Sequence, residues 1–158
     1  MPRKIVLALA ALTISASALN VAYAQQALKP EQAIKYRQAA YSYISWNMGR
    51  IKANTEGANY NKSEVILAAN TISAIANSGM GALYIPGSDK DVGSVKTSVK
   101  PEFFTNPQEV ARLAQNFTKE AAELAKVAAS GDAAAVKAQF GKVGGTCKAC
   151  HDDFKVKN

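Results

Sequence analysis

The sequence predicts an all-α fold, an antiparallel four-helix bundle, on three observations. Apolar residues recur at alternating spacings of three and four in four separate stretches, which is the seam of a bundle helix. Capping residues and glycines bracket those stretches. Strand-type alternation is almost absent. The chain has 158 residues, the size of one domain. It is 48% apolar and 20% charged, ordinary globular composition, which excludes a disordered chain or a coiled-coil rod.

Residues 1–24 read as a secretory signal peptide. Arg3 and Lys4 give a basic start, Ile5 to Leu12 is unbroken apolar sequence, and Ala22-Tyr23-Ala24 fits a small-x-small cleavage site. A membrane anchor is the competing reading. A spanning helix needs about 20 apolar residues, and Thr13, Ser15, Ser17 and Asn20 interrupt this run. The expected mature chain is therefore 25–158, starting at Gln25, exported to the periplasm and without a membrane anchor. Lys and Arg number 19 against 12 Asp and Glu. That excess favours acidic partners through long-range steering. Nucleic-acid binding is not expected, because the basic residues are spread out and export removes the usual ligand.

The first helix is expected over 31–53, with Pro30 suited to a first-turn position. Its seam is Ile34, Arg37, Tyr41, Ile44, Met48 and Ile51. A second stripe, Ala33, Tyr36, Ala40, Tyr43 and Asn47, lies beside it, flanked by Trp46. The second helix opens at Asn61, with Glu64 three residues on in a capping-box arrangement. Its seam is Val65, Ala69, Ile72, Ala76 and Gly79. The third opens at Asn106, with Pro107 at the first helical position and Glu109 at the capping position. Its seam runs from Val110 through Leu113, Phe117, Ala121 and Leu124 to Ala128, and Gly131 stops it. Asp132 caps the fourth, whose seam is Val136, Phe140, Val143, Cys147, Cys150 and Phe154. The stretch from Met80 to Thr105 is long for a loop, and such loops are often functional. Phe103 and Phe104 are expected to pin it to the bundle.

Cys147-Lys148-Ala149-Cys150-His151 is C-x-x-C-H, the attachment motif of a c-type haem. It uses both cysteines and the sole histidine of the chain. Cys147 and His151 are four apart on a helix and Cys150 is three from Cys147, so one face presents all three. Two thioethers can then fix the porphyrin edge while the imidazole reaches the iron. Covalent attachment of this kind happens outside the cytoplasm in bacteria, which agrees with export. The alternatives fit less well. A thioredoxin-like dithiol would open a helix after a strand. A zinc site would have to recruit Asp152 or Asp153. Cysteines at i, i+3 on one helix close poorly into a disulfide. Nucleophilic catalysis lacks a base.

One histidine gives the iron one axial ligand. The sixth position is empty or filled by Met, Tyr, Lys or a small molecule. Met48 and Met80 are the methionines beyond the leader. Tyr41, on the first seam, either faces the haem or packs in the core. A charge in a seam is costly unless paired. Arg37 therefore either meets a haem propionate, one turn from Tyr41, or snorkels to water.

An exported four-helix chain with C-x-x-C-H near its C-terminus resembles cytochrome c′, the class II cytochromes c. Small class I cytochromes carry the motif near the N-terminus and place a Met ligand after it, whereas here only seven residues follow His151. The resemblance is closest in Lys29-Pro30-Glu31, in Lys35-Tyr36-Arg37-Gln38 and in Cys147-Lys148-Ala149-Cys150-His151-Asp152. It implies one covalent haem c per chain, high-spin and five-coordinate. Cys147 and Cys150 would hold it, with His151 as the sole protein ligand. It also implies that Arg37 and Gln38 contact the propionate side and that Tyr41 covers the vacant distal face. Lys155 stands where many members have a proximal-side Arg, so the charge is kept and the planar fork lost. Members commonly dimerise through the first two helices, which makes Tyr36, Tyr43 and Trp46 a candidate homodimer face. The resemblance supports small gaseous ligands, NO and CO, or electron carriage with a redox partner protein. The alternative is a six-coordinate, low-spin class II cytochrome acting purely as an electron carrier. An enzyme is not expected, since no distal acid–base residue is visible.

Overall fold

Pro30 opens the first helix, α1 (Pro30–Glu56). Its ring fixes φ, and its missing N–H falls among donors that a helix start leaves free. The preceding Lys29 N–H donates to Gln32 Oε1 at 3.3 Å. These are the early residues of a computed structural model that describes residues 28–157. The expected signal peptide and cleavage site lie outside the described residues.

Asn61 starts α2 (Lys62–Ala76), its side chain accepting from the Glu64 N–H at 3.1 Å. The return half of the expected capping box is replaced. The Glu64 carboxylate takes Arg50 Nε and Asn54 Nδ2, each at 3.0 Å. The Asn61 N–H donates to Asn54 Oδ1 at 2.7 Å. The cap is thus shared with α1 and joins the two helices at their corner. The helix ends at Ala76, short of the expected seam residue Gly79. Gly79 takes φ of 81°, a conformation a side chain disfavours, and starts a 3₁₀ turn over Met80–Leu83.

A short helix, α3 (Glu102–Thr105), precedes α4 (Pro107–Ser130). The Asn106 side chain does not cap α4. Its Nδ2 donates backwards to Glu102 O at 2.9 Å, and Glu109 pairs with Arg112. Gly131, at φ 82°, closes α4 as expected. Asp132 caps α5 (Ala133–Phe154), its Oδ1 accepting from Ala134 N and Ala135 N at 2.9 and 3.0 Å.

The four long helices form a four-helix bundle. Its core is built from Ile44, Ile51, Val65, Ala68, Ala69, Ile72, Ala121, Leu124, Ala128, Val136 and Val143. Burying each of the larger ones contributes about 1.5–3 kcal/mol. The alanines let α2 and α4 approach closely. α4 packs extensively on α5 and on α2, and α1 packs extensively on α2. The α1–α5 side is much less closely packed, and the site lies on that side.

The segment from Tyr84 to Pro101 spans α1 and the end of α5. Lys100 N–H donates to Phe154 O at 2.9 Å and Val156 N–H to Ser98 O at 2.8 Å. Among the described residues, β-type pairing is confined to two isolated bridges, Val92 with Val95 and Val99 with Lys155. Phe103 and Phe104 pin the segment as expected. Phe103 stacks on Tyr84 with ring centres 4.1 Å apart and meets Phe154 edge-on at 5.6 Å.

Candidate haem site

Cys147, Cys150 and His151 occupy the last turns of α5, where unbroken helix fixes their shared face. Both cysteines are free and half-buried. Burial holds both thiols above their usual pKa, with Asp153 adding to the effect at Cys150. A redox-active dithiol needs the opposite shift. His151 is exposed. Loss of solvent and then the Lys155 ammonium pull its imidazole below the usual value. The neutral ring is the form that ligates a metal. Among the described residues no cluster of three or more His, Cys, Asp or Glu could hold a bare metal ion. The donor set therefore fits a c-type haem, two free thiols and one neutral imidazole on a single helix face, and does not fit zinc.

Tyr41 stands on the seam of α1. Its seam neighbours Arg37 and Ile44 are 3% and 4% exposed, but Tyr41 is 40% exposed. Burial raises the phenol's pKa, and the charges that Cys150 and Cys147 can carry add to the rise. The phenol is thus close enough to both attachment cysteines to sense their charge. Met48 and Met80 are only partly buried and pack against the core.

The structure places Arg37 in a polar cradle formed by Leu83 and the Tyr84–Pro101 segment that follows it. Its Nη1 donates to Ser88 Oγ at 2.8 Å and to Leu83 O at 3.4 Å. Nη2 donates to Ser88 O at 2.5 Å and Thr97 Oγ1 at 2.7 Å. The guanidinium carbon also lies 4.8 Å from the centre of the Tyr84 ring, a favourable cation–π geometry. Arg37 is therefore buried against neutral acceptors and does not snorkel to water. Gln38 Nε2 donates to Lys96 O at 2.7 Å, so it holds the same segment. Lys155 follows α5 as its C-terminal cap and is exposed.

Sequence reasoning missed Tyr84, Ser88 and Thr97. Ser88 is completely buried, and the Tyr84 hydroxyl donates to the Tyr41 hydroxyl at 3.3 Å. The available signal was an aromatic residue inside a long loop. A separate groove of about 460 Å³ between α4 and α5 is lined by Arg112, Glu120, Lys142 and Thr146 among others. It follows the side of α5 turned away from Cys147 and His151.

A four-helix bundle with C-x-x-C-H at the end of its last helix defines a class, the c-type haem proteins built on helical bundles. Comparison with known proteins narrows the class. Residues 32–155 match the family model described as Cytochrome C′. A cytochrome c′ of Rhodocyclus tenuis is 62% identical over 130 residues, covering 82% of this chain and 98% of that protein. A solved cytochrome c′ described as having an unusual ligand-controlled dimer dissociation is 58% identical. It superposes with a TM-score of 0.81, over 82% of this chain and 98% of the other. A ferrous variant of the Alcaligenes xylosoxidans cytochrome c′ with bound NO is 30% identical, with a TM-score of 0.72 over 82% and 98% of the two chains. The chain belongs to the cytochrome c′ family, whose cofactor is haem c.

Proposed function

We propose that the chain is a periplasmic haem protein that takes up small gases, NO foremost and CO more weakly. Its haem c, one per chain, is held covalently by Cys147 and Cys150, with His151 as the sole protein ligand. The observation that carries this reading is Tyr41, an exposed phenol on a seam whose other members are buried or, at Met48, partly buried, and close enough to the attachment cysteines to sense their charge. When bound, the haem supplies an iron that changes between ferrous and ferric and that takes a diatomic at its sixth position.

The residues of the chain divide the remaining work. Tyr41 covers the distal side and excludes water until it is displaced. Arg37 spends four of its donors on Leu83, Ser88 and Thr97. A guanidinium has five, so its Nε–H remains to meet a propionate, with Gln38 beside it. Lys155 adds positive charge on the His151 side. Tyr36, Tyr43, Trp46 and Leu67 are 54%, 51%, 54% and 62% exposed. They form an unpartnered apolar face on α1 and α2 that a second copy of the chain would cover. A relative is known for ligand-controlled dimer dissociation, and the same oligomeric form is the reading here. Electron exchange with a redox partner uses the same haem. The protein is not an enzyme on this reading, because His151, the sole histidine, serves as the haem ligand and no other histidine is left for distal acid–base work.

Two experiments test this function. Acid–acetone extraction should leave the haem on the polypeptide, and the ferrous protein should take up one NO per chain. Haem that extracts freely contradicts the roles of Cys147 and Cys150. A covalent haem protein that ignores NO leaves electron carriage alone.

A further inference from the structure

We infer that Tyr84 is a positioning residue for the distal side: its hydroxyl, donated to Tyr41, holds the Tyr41 ring in its covering position and so sets the barrier to gas entry. The inference rests on the reading of Tyr41 as the distal cover.

Tyr84 is well built for this task. Phe103 stacks on its ring at 4.1 Å, Phe104 lies tilted at 6.3 Å, and the Arg37 guanidinium sits 4.8 Å from the ring centre. Phe103 is itself braced edge-on by Phe154, the last residue of α5. Tyr84 is therefore fixed to both α1 and α5, while Tyr41 has a partly exposed ring on one helix. Of the two phenols, the braced one is the donor and the exposed one the acceptor. A ligand that pushes Tyr41 aside must break this bond or pull the Tyr84 ring off its stack with Phe103. The bond also restricts the Tyr41 rotamers, so the cover spends less time open before any ligand arrives.

The sequence distance explains why this pairing is a distinct device. Tyr84 belongs to the long segment after α2, 43 residues from Tyr41. Arg37, one turn before Tyr41 on α1, anchors the same segment through Ser88 and Thr97. The segment thus reaches the distal side from outside the four-helix core and restrains the one seam residue that has to move.

The experiment is stopped-flow CO binding to the ferrous haem protein, with unfolding measured alongside. Tyr41→Phe, Tyr84→Phe and the double variant complete a cycle. One neutral hydroxyl bond is worth a rate change of about fivefold. Tyr84→Phe is therefore expected to speed CO association about fivefold. Added to Tyr41→Phe it should change nothing further, because the acceptor is already gone. The unfolding midpoints should be non-additive in the same cycle, a readout independent of gas binding. If Tyr84→Phe leaves the on-rate unchanged while Tyr41→Ala raises it, Tyr84 does not hold the cover and the inference fails alone. If Tyr41→Ala also has no effect, the reading of Tyr41 as the cover fails first. Equal, additive effects of Tyr84→Phe in both backgrounds mark a merely structural role and overturn the inference.

Discussion

At the scale of single residues, Arg37 shows how a site can be half legible. Its place in a helix seam announced that a buried charge needed partners. Which partners it would find could not be read from helical periodicity, because Ser88 and Thr97 lie 51 and 60 residues away in irregular chain. Arg37→Ala removes four hydrogen bonds and leaves buried acceptors at Ser88 unpaired. The expected cost is about 3 kcal/mol in urea unfolding. Arg37→Lys should recover little of it, since one ammonium cannot span Ser88 and Thr97 with a planar fork. A loss below about 0.5 kcal/mol would mean that the cradle contributes nothing to folding. The attachment motif, by contrast, was fully legible, because its residue types and spacing sit together in five consecutive positions.

At the scale of elements, four helices could be read from period and caps because both signals are local. The departures have local causes too. The second helix stops before Gly79 because that residue takes a left-handed conformation and begins a different turn. The Glu64 capping box opens because Arg50 and Asn54 on α1 compete for its carboxylate. That competition makes a pH prediction. Hydrogen bonds from Asn54 and then Arg50 lower the Glu64 pKa below 4.5. A carboxyl depressed in the folded state stabilises fully above its unfolded pKa and loses that contribution as pH falls through the folded value. Glu64→Gln should therefore lower Tm at neutral pH and make Tm less steeply dependent on pH below about 4.5. Thermal melts from neutral to acid pH check this, and parallel curves for the two proteins would count against the shared cap. In the core, Leu124 is completely buried. Leu124→Ala is expected to cost about 2–5 kcal/mol in urea unfolding.

For the whole molecule, the bundle packs closely on three sides and leaves the α1–α5 side less closely packed, while Tyr41 of α1 is tied to Tyr84 of the long segment. The outer face of α1 carries the aromatic stripe, so one helix holds Tyr41 on its seam and, on the proposed dimer reading, offers Tyr43 and Trp46 to a second copy. Tyr43→Glu would place a charge in that face and is expected to convert the proposed dimer to monomer in sedimentation velocity, without loss of haem. An unchanged sedimentation coefficient would remove Tyr43 from the contact. The central claim, that His151 is the sole protein ligand and the sixth position stays open, is tested most directly by the spin state of the ferric protein. Optical and EPR spectra at neutral pH should be high-spin. A low-spin spectrum with a methionine–iron charge-transfer band would contradict the claim, and would require Met48 or Met80 to leave the core contacts they make in this structure.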